Sequence, residues 1–319
     1  MANLQATIHQ PPTTIVKGEE TMKRAISVSL GSSERDKAVE VELLGQVVSI
    51  ERRGTDGDIE RATALFTELD GQVDCLGVGG IDLWVDMVTR RYNITAAHKL
   101  IKNVSQTPVV DGSGLKNTLE RQVVQAMIDE LGPAYGSGKV LITVGADRYG
   151  MTLGFADHNY EATYGDLMFS VGIPIAIHSL KMLNFLGRLL GPIITKLPIS
   201  MLYPTGEKQD EIIPKYIKWY EWADVIAGDC HYIKRHMPDN LQGKIIVTNT
   251  TIPKDMTMFK ERGVTYVVTT TPVLDGRSFG TNMMEAALTA VSGKNRPLTH
   301  AELNELIAEL ELKPTIHTL

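Results

Sequence analysis

The sequence predicts an α/β protein built from two open sheets of mainly parallel strands. Short apolar runs rich in β-branched residues alternate with helix-length segments along most of the 319 residues, a pattern typical of α/β folds. Strands joined through intervening helices pair in parallel, because each connection must cross over the sheet. A chain of this length is too long to pack around one ordinary hydrophobic core, which indicates roughly two domains of about 100 to 200 residues each.

The first domain, which we expect to bind the substrate, is predicted over residues 23–135. Its predicted strands cover 25–30, 47–51, 73–78 and 107–110, and its predicted helices cover 33–44, 58–69, 94–103 and 117–131. Residues 1–22 lack the charged and apolar regions of a signal peptide, so we expect a mobile tail there. Glycine, proline and serine are concentrated in residues 132–138, which indicates a domain boundary at that point.

The second domain is predicted over residues 136–298. Its predicted strands cover 140–144, 173–177, 199–203, 224–227, 244–248 and 265–269. Six strands with intervening helices match a dinucleotide-binding, Rossmann-like domain. We expect a helix at 282–291 to pack back across the interface between the domains. Thr299 and Glu302 form a capping-box pattern, so residues 299–319 are predicted to be a C-terminal helix and tail.

Composition excludes several classes of protein. The net charge of −6 argues against a nucleic-acid surface, which needs clustered lysine and arginine. The longest apolar stretch, 182–203, contains Arg188, Lys196 and two prolines, so we expect no membrane-spanning helix. Cys75 and Cys230 are far apart in the sequence and have no partner at metal-ligand spacing. We therefore expect no disulfide, no metal site and a cytoplasmic location.

A turn that could bind phosphate follows the first predicted strand of the second domain. An apolar run over residues 138–144 ends at Gly145 and leads into a helix-like segment. A glycine turn before a helix N-terminus presents backbone N–H groups to an anion. The spacing of the glycines in this turn does not meet the G-x-G-x-x-G fingerprint. We expect the pyrophosphate of a cofactor to bind at Gly145, Ala146, Asp147, Arg148, Tyr149 and Gly150.

Polar residues also follow the other predicted strands of this domain, where ligands bind in open α/β sheets. The set comprises His178, Ser179, Thr248, Asn249, Thr250, Thr270 and Thr271. Each of these residue types also occurs in ordinary turns, but together they indicate a ribose or phosphate site. His178 stands where an acidic residue would bind a ribose diol, so the sequence favours NADP over NAD.

Three segments carry a family resemblance. Residues 93–99, Asn-Ile-Thr-Ala-Ala-His-Lys, resemble the Asn-Val-Thr-x-Pro-x-Lys signature of shikimate and quinate dehydrogenases. Residues 223–228 resemble the fourth nucleotide-domain strand of that family, and residues 280–287 are similar to its closing helix. Ala97 stands where the family has proline, Glu285 falls near its glutamine, and the glycine-rich turn differs.

The resemblance implies a catalytic lysine, Lys99, that acts with a carboxylate on the substrate hydroxyl. The family's aspartate has no clean counterpart, and both Asp111 and Glu120 are substitutes. We favour Asp111, because a loop at the cleft reaches a substrate more easily than a helix residue does. The competing interpretation is that Lys99 lies on an exposed basic helix face. In the family's scheme, residues 248–250 and 269–271 line the nicotinamide side.

The resulting hypothesis is a nicotinamide-dependent oxidoreductase that binds NADP or NAD. It would transfer hydride between the cofactor and a small hydroxylated or carbonyl substrate in the cleft between the domains. One alternative is a two-domain transferase that uses a nucleotide-type donor. Another is a noncatalytic nucleotide-binding protein, since one α/β scaffold serves many reactions. We expect a small-molecule substrate, no nucleic-acid or membrane partner, and a homodimer.

Overall fold

A computed structural model describes residues 22–87, 90–197, 212–271, 273–274 and 277–319. The protein is a mixed α/β structure with two mainly parallel sheets, as the alternation of apolar runs predicts. We refer to the part around each sheet as the first and second lobe. Within the described residues, no helix combines the length and apolar character needed to cross a bilayer.

The first lobe contains a five-stranded sheet in the order β2-β3-β1-β4-β7. Its strands are β1 (Lys23–Ser29), β2 (Lys37–Leu43), β3 (Gln46–Gly54), β4 (Cys75–Gly79) and β7 (Val109–Val110). A separate hairpin consists of β5 (Trp84–Met87) and β6 (Arg90–Asn93), and the helices are α1 (Ile59–Leu69) and α2 (Thr95–His98). All pairings in the five-stranded sheet are parallel except that of β2 with β3.

The prediction of a helix at 33–44 is wrong, because most of that segment forms strand β2. Val39, Val41 and Leu43 alternate with Glu40 and Glu42, which is the period-2 pattern of a strand with one buried face. A two-residue turn with positive φ at both positions, Leu44 at 53° and Gly45 at 73°, then connects β2 to β3. Such turns match the twist of an antiparallel hairpin.

Two short helices connect the lobes. Helix α3 (Ser113–Asn117) is followed by a 3₁₀ turn (Leu119–Gln122) and by α4 (Val123–Leu131). The predicted helix over 117–131 therefore begins later than expected, and the chain bends between 117 and 123. From this segment Lys116 and Glu120 reach residues of the second lobe, whereas Leu115 and Leu119 pack in the core of the first.

The second lobe contains a six-stranded sheet in the order β15-β12-β11-β10-β8-β9. Its strands are β8 (Ser137–Ile142), β9 (Asn159–Tyr164), β10 (Val225–Gly228), β11 (Ile245–Thr248), β12 (Tyr266–Thr269) and β15 (Thr315–Thr318). Its helices are α5 (Tyr149–Ala156), α6 (Asp166–Val171), α7 (Leu180–Ile194), α8 (Ile217–Trp222), α9 (Cys230–His236) and α10 (Pro253–Glu261). Only β15 runs antiparallel to its neighbour.

The second strand of this sheet differs from the prediction. We expected it at 173–177, but β9 pairs in parallel with β8, and Ile177 forms only an isolated bridge with Tyr164. Pro174 and the exposed side chains of Ile173 and Ile175 explain why 173–177 is not a central strand. The predicted strand at 199–203 lies outside the described residues.

The C-terminal part of the chain returns to both sheets. After the short strands β13 (Val273–Leu274) and β14 (Arg277–Ser278), helix α11 (Thr281–Val291) packs on the first sheet, and α12 (His300–Glu309) joins the same core. The domain limits drawn from the sequence had assigned 281–298 to the second domain. Strand β15 then closes the second sheet, where we had expected only a tail. The two lobes are therefore tied together at more than one point in the chain.

Each sheet is covered on both faces. In β1, Ala25 packs with α11 and Ile26 packs with α1 on the opposite face. In β10, Val225 and Ile226 likewise belong to different cores. Strands buried on both faces read as continuous apolar runs, which is why the sequence predicted them well.

Candidate active site

The residues that follow β4, β8, β10 and β12 meet where the two lobes touch. In parallel sheets, the carboxyl ends of the strands are the usual place for ligands. Here, side chains of α3 and the 3₁₀ turn reach across to the turn after β8. The result is a buried network of charged groups between the lobes.

Lys116 lies at the centre of this network. Its ammonium nitrogen Nζ is 2.8 Å from both carboxylate oxygens of Asp82 and 3.1 Å from Oδ1 of Asp147. The side chains of Lys116, Asp82 and Asp147 are 9%, 12% and 20% exposed. Asp82 follows β4, and Asp147 lies in the turn after β8, so each sheet contributes one carboxylate to the same ammonium.

The three groups differ in their readiness to give or take a proton. Burial raises the pKa of Asp82 to about 7, with Asp147 adding to the rise and Lys116 opposing it. Burial opposes the charge of Asp147, yet Lys116 and Arg148 hold the pKa of that carboxyl well below its usual range. The two carboxylates likewise outweigh burial and raise the pKa of Lys116. Asp82 is thus the group that titrates near neutral pH, a feature typical of functional sites.

Arg148 organises the strand ends of the second lobe. Its guanidinium donates 2.6 Å to Oε1 of Glu120 and 2.8 Å to Oδ2 of Asp229. Thr270 also donates to Glu120, at 3.2 Å, and the amide of Asn249 donates to Asp229, at 2.8 Å. Arg148 and Glu120 are almost fully buried. These bonds join the ends of β8, β10, β11 and β12 to the 3₁₀ turn.

The turn after β8 is held by a carboxylate that the sequence analysis did not select. The backbone N–H groups of Gly145 and Ala146 donate to Asp166, at 3.0 and 2.8 Å. Asp166 begins α6 directly after β9, 21 residues beyond Gly145. Burial raises the pKa of Asp166 to about 6, although the two N–H groups oppose that rise. The spacing from Gly145 was the signal that could have identified it.

His178 does not occupy the position that we assigned to it. Because the second strand is β9, the residue that follows its end is Asp166. The ring of His178 packs 5.1 Å from that of Trp219, and its Nδ1 lies 3.3 Å from Oγ1 of Thr163. Ser179 caps α7 by accepting from the N–H of Met182. The basis for preferring NADP, the lack of an acidic residue after the second strand, is therefore wrong.

Gly150 serves the packing of helices. A Cβ atom at this position would overlap the backbone carbonyl of Lys116, and one at Gly154 would crowd the carbonyl of Arg121. The two glycines lie one turn apart on α5 and let the segment that carries Lys116 approach closely. Tyr149, between the turn and Gly150, donates from its hydroxyl to Oδ1 of Asn184 on α7, at 3.0 Å.

The structure does not bring Lys99 and Asp111 together. Lys99 is an exposed residue at the end of α2, and no hydrogen bond joins it to Asp111 in the described part of the chain. Asp111 is buried and accepts from the backbone N–H groups of Leu83, Trp84 and Ser113, at 2.6, 3.1 and 2.9 Å. Asp111 thereby fixes the segments that carry Asp82 and Lys116.

A second buried carboxylic acid, Glu285, also contacts the N-terminus of α3. Oε2 of Glu285, on α11, accepts from the N–H groups of Gly114 and Leu115 at 3.0 and 3.4 Å. Burial, reinforced by the charge of Asp111, raises the pKa of Glu285 to about 8. Helix α11 therefore crosses to the N-terminus of α3 and helps to place Lys116.

The remaining predicted residues lie at the ends of β11 and β12. The hydroxyl of Thr248 donates to Oδ1 of Asn249, and that of Thr271 donates to the Asn249 carbonyl, at 3.1 and 3.2 Å. Thr250 follows at the rim and is partly exposed. Thr270 joins the Arg148 network as described. Most of the set thus lies around Asn249 and the Arg148 network, whereas His178 and Ser179 make their contacts elsewhere, with Trp219, Thr163 and Met182.

A narrow cavity opens beside Lys116. Its volume is about 10 Å³, room for about one water molecule. The walls are formed by Asp82, Trp84, Val85, Asp86, Ser113, Lys116, Asn117, Asp147 and Tyr149. Within the described ranges, no group of three or more histidine, cysteine, aspartate or glutamate side chains could hold a metal ion.

The chain belongs to a family described as domain of unknown function DUF8754, whose model matches residues 114–319. A second model, domain of unknown function DUF8753, matches residues 24–111. No curated protein matches the chain. The two models meet at α3, close to the residues that join the lobes.

Several solved structures are distantly similar. An NAD-dependent malic enzyme from Thermotoga maritima is 12% identical, with 89% of this chain and 76% of that chain covered and a TM-score of 0.38. A periplasmic solute-binding protein of an ABC transporter from Actinobacillus succinogenes 130z, with bound D-allose, is 11% identical, with coverages of 93% and 97% and a TM-score of 0.38. Similarities this weak carry no argument about function.

Proposed function

We propose that this protein is a nicotinamide-dependent oxidoreductase that acts on a small hydroxylated or carbonyl substrate in the cleft between the lobes. The observation that carries the proposal is the position of Lys116, whose ammonium bridges Asp82 and Asp147 where the carboxyl ends of both sheets meet. The catalytic role that the family resemblance gave to Lys99 and Asp111 passes to Lys116 and Asp82. The likeness to shikimate and quinate dehydrogenases itself stays a prediction.

The second lobe supports a Rossmann-like interpretation. Strands β9, β8, β10, β11 and β12 lie in that order and run in parallel, which is the arrangement of five strands of a dinucleotide-binding sheet around its switch point. The turn after β8 leads into the N-terminus of α5, and an acidic residue follows about 20 residues later, as that type of site requires. These features fit a dinucleotide.

Asp166 favours NAD over NADP in this proposal. A carboxylate at the end of the second strand can accept from the ribose hydroxyls of NAD, whereas it would repel the 2′-phosphate of NADP. The carboxylate lies beside Gly145 and Ala146. The preference derived from His178 is thus reversed by the acidic residue that actually follows β9.

The chain's own residues would move the substrate proton. The nicotinamide supplies or accepts hydride when it is bound. Lys116, held in its charged form by two carboxylates, stabilises the negative charge that develops on the substrate oxygen. Asp82, with a pKa of about 7, takes the hydroxyl proton during oxidation and returns it during reduction. Asp147 stays ionised and orients Lys116.

The test is a screen of cyclic and linear alcohols and ketones, in which NADH formation or loss is followed by absorbance. Once a substrate is found, Asp82→Asn is expected to lower kcat by about 10²-fold or more, with NAD affinity nearly unchanged. Lys99→Ala is the matched surface control and should retain full turnover. Full activity of Asp82→Asn, or loss of activity in Lys99→Ala, would return the catalytic role to the predicted pair.

A further inference from the structure

We infer that one face of helix α7 binds the surface of an anionic lipid membrane, with the helix lying on the membrane rather than crossing it. This α7 face consists of four apolar residues and two cations: Met182, Phe185, Leu189, Ile193, Lys181 and Arg188. None of these side chains belongs to the charged network between the lobes, so the inference is independent of the proposed function. It replaces the expectation, drawn from composition, that the protein has no membrane partner.

The exposed apolar side chains of the protein are concentrated at and just before α7. Eight of the fourteen large apolar side chains that are exposed in the described ranges lie between residues 171 and 194. Phe185 is 59% exposed, Leu189 57% and Ile193 61%. Single exposed apolar residues are normal on a protein surface, whereas a contiguous apolar patch marks an interaction site. The concentration therefore indicates a surface that binds a partner.

The apolar residues of the α7 face form one continuous stripe. Met182, Phe185, Leu189 and Ile193 follow one another at intervals of three or four residues. Side chains at this spacing project from the same side of a helix. At 1.5 Å per residue, the stripe is about 16 Å long.

The other side of α7 is anchored to the rest of the protein. Leu183 is buried in the core of the second lobe, and Gly191 lies against the ring of Tyr92 on the β5–β6 hairpin. Just after the helix, the carbonyl of Thr195 accepts from the N–H of Thr95, at 3.0 Å. The helix is thus held by contacts with both lobes, which leave the apolar stripe facing outward.

The charge of this segment is opposite in sign to that of the whole chain. Residues 171–197 contain the cations Lys181, Arg188 and Lys196 and no aspartate or glutamate, whereas the net charge of the chain is −6. All three cations are exposed. Lys181 and Arg188 lie one helical turn before and after Phe185, so both border the apolar stripe. An anionic partner is therefore complementary in charge to the α7 face.

A second copy of the chain does not suit this face. A two-fold interface brings the same patch of both chains together. Pairing through α7 would place the cations of one segment near those of the other, and the segment has no acidic residue to compensate them. Like charges that meet in an interface lower affinity. The charge pattern thus favours a partner that differs from this chain.

A lipid surface suits both the apolar stripe and the cations. Amphipathic helices in a membrane interface bury apolar side chains about 5 to 10 Å deep and carry lysine and arginine on the polar side. The flexible stems of Lys181 and Arg188 let their charges reach the headgroup phosphates while the stripe is buried. The stripe is a convex ridge, which enters a fluid surface without a matching pocket. These properties favour an anionic membrane over an acidic protein.

The experiment measures co-sedimentation of the full-length protein with vesicles. One set contains equal parts of phosphatidylcholine and phosphatidylserine, and the other contains phosphatidylcholine alone. We expect binding to the anionic vesicles to be at least about tenfold stronger, because each cation near an anionic surface adds to the affinity. Added NaCl should weaken this binding, since it screens the attraction.

Substitutions on the α7 face should weaken the binding. Phe185→Glu and Arg188→Glu should each lower the affinity for the anionic vesicles by at least about tenfold. Ile59→Glu, at an apolar residue of α1 that is 45% exposed, and Lys99→Glu, at an exposed lysine, are the matched controls and should leave the affinity unchanged. The replaced side chains are exposed, so every variant should keep the melting temperature of the wild type to within a few degrees. Leu189→Glu provides a second apolar variant if Phe185→Glu does not fold.

Absence of binding to the anionic vesicles would overturn the inference and leave an acidic protein as the partner of the α7 face. Equal binding by the wild type and by the folded α7 variants would assign the membrane contact to another surface, which also overturns it. Sedimentation velocity without vesicles tests the second copy. A dimer that Phe185→Glu dissociates would show that the α7 face is covered by another chain and would contradict the membrane.

Discussion

The ammonium of Lys116 lies 2.8 Å from each carboxylate oxygen of Asp82, and both side chains are nearly removed from solvent. A buried pair of this kind gains little net stability, because desolvation offsets the attraction between the charges. Asp111 and Glu285 nevertheless fix the backbone just before Lys116, at the N-terminus of α3. We interpret this arrangement as one that holds an acid–base pair in place.

Substitution of Lys116 should destabilise the protein strongly. Lys116→Met leaves Asp82 in a buried site without its cation, while Asp147 keeps only Arg148, 3.3 Å away, and we expect a loss of about 3 to 5 kcal/mol in the free energy of unfolding. Lys99→Ala, at an exposed lysine, should change it by about 0.5 kcal/mol or less. Urea denaturation of the three proteins measures both values. Similar stabilities of the two variants would show that Lys116 is not buried as described.

The stability of the protein should fall as pH rises toward 8. Burial raises the pKa of Glu285 to about 8, so the native state keeps a proton that the unfolded state has released above about pH 4.3. The stabilisation is complete below the unfolded pKa and is lost as pH rises through the folded pKa, by up to about 1.4 kcal/mol per pH unit.

Glu285→Gln removes that titration and should flatten the dependence between pH 7 and pH 8. Asp82 and Asp166, whose pKa values burial raises to about 7 and about 6, contribute at lower pH and remain in the variant. Denaturation at closely spaced pH values measures the slopes. The same slope in wild type and variant would mean that Glu285 is already ionised in the native state.

Gly150 should tolerate no side chain. Gly150→Ala forces a methyl group against the Lys116 carbonyl, and we expect a cost of about 1 to 3 kcal/mol or more from overpacking. Gly191→Ala is the matched helical control, because its Cβ would meet Tyr92 at an ordinary distance of 3.4 Å. The control should be neutral or slightly stabilising. Equal effects of the two substitutions on thermal unfolding would contradict the close contact of α5 with α3.

Asp166 should control the choice between the two nicotinamide cofactors. Asp166→Ala removes the carboxylate that repels a 2′-phosphate, so the ratio of NADPH to NADH affinity should rise at least tenfold. His178→Ala serves as the control, since His178 packs on Trp219, and should leave the ratio unchanged. Fluorescence titrations with NADH and NADPH give the ratio. A change in His178→Ala alone would restore the assignment made from the sequence.

The sequence predicted most strands because they are buried on both faces and read as apolar runs. It failed where periodicity decides between helix and strand, as in β2, and where an alternating strand such as β9 has exposed residues on one face. Because the second strand is β9 and not 173–177, the residue that follows its end is Asp166 rather than His178. The pairing of Lys116 with Asp82 could not be predicted from the sequence, because residues 34 positions apart in the chain are brought together only by the fold. The cytoplasmic location and the homodimer remain predictions.

The most direct measurement of the central claim is a thermal-shift comparison of the wild-type protein with NADH, NADPH, a nucleotide sugar, S-adenosylmethionine and no ligand. A ligand at about 100 times its Kd adds about 2.7 kcal/mol to the stability of the native state, which raises Tm by several degrees. We expect NADH to give the largest shift and NADPH a smaller one. No shift with either nicotinamide, or a shift with the nucleotide sugar or S-adenosylmethionine alone, would contradict the oxidoreductase proposal.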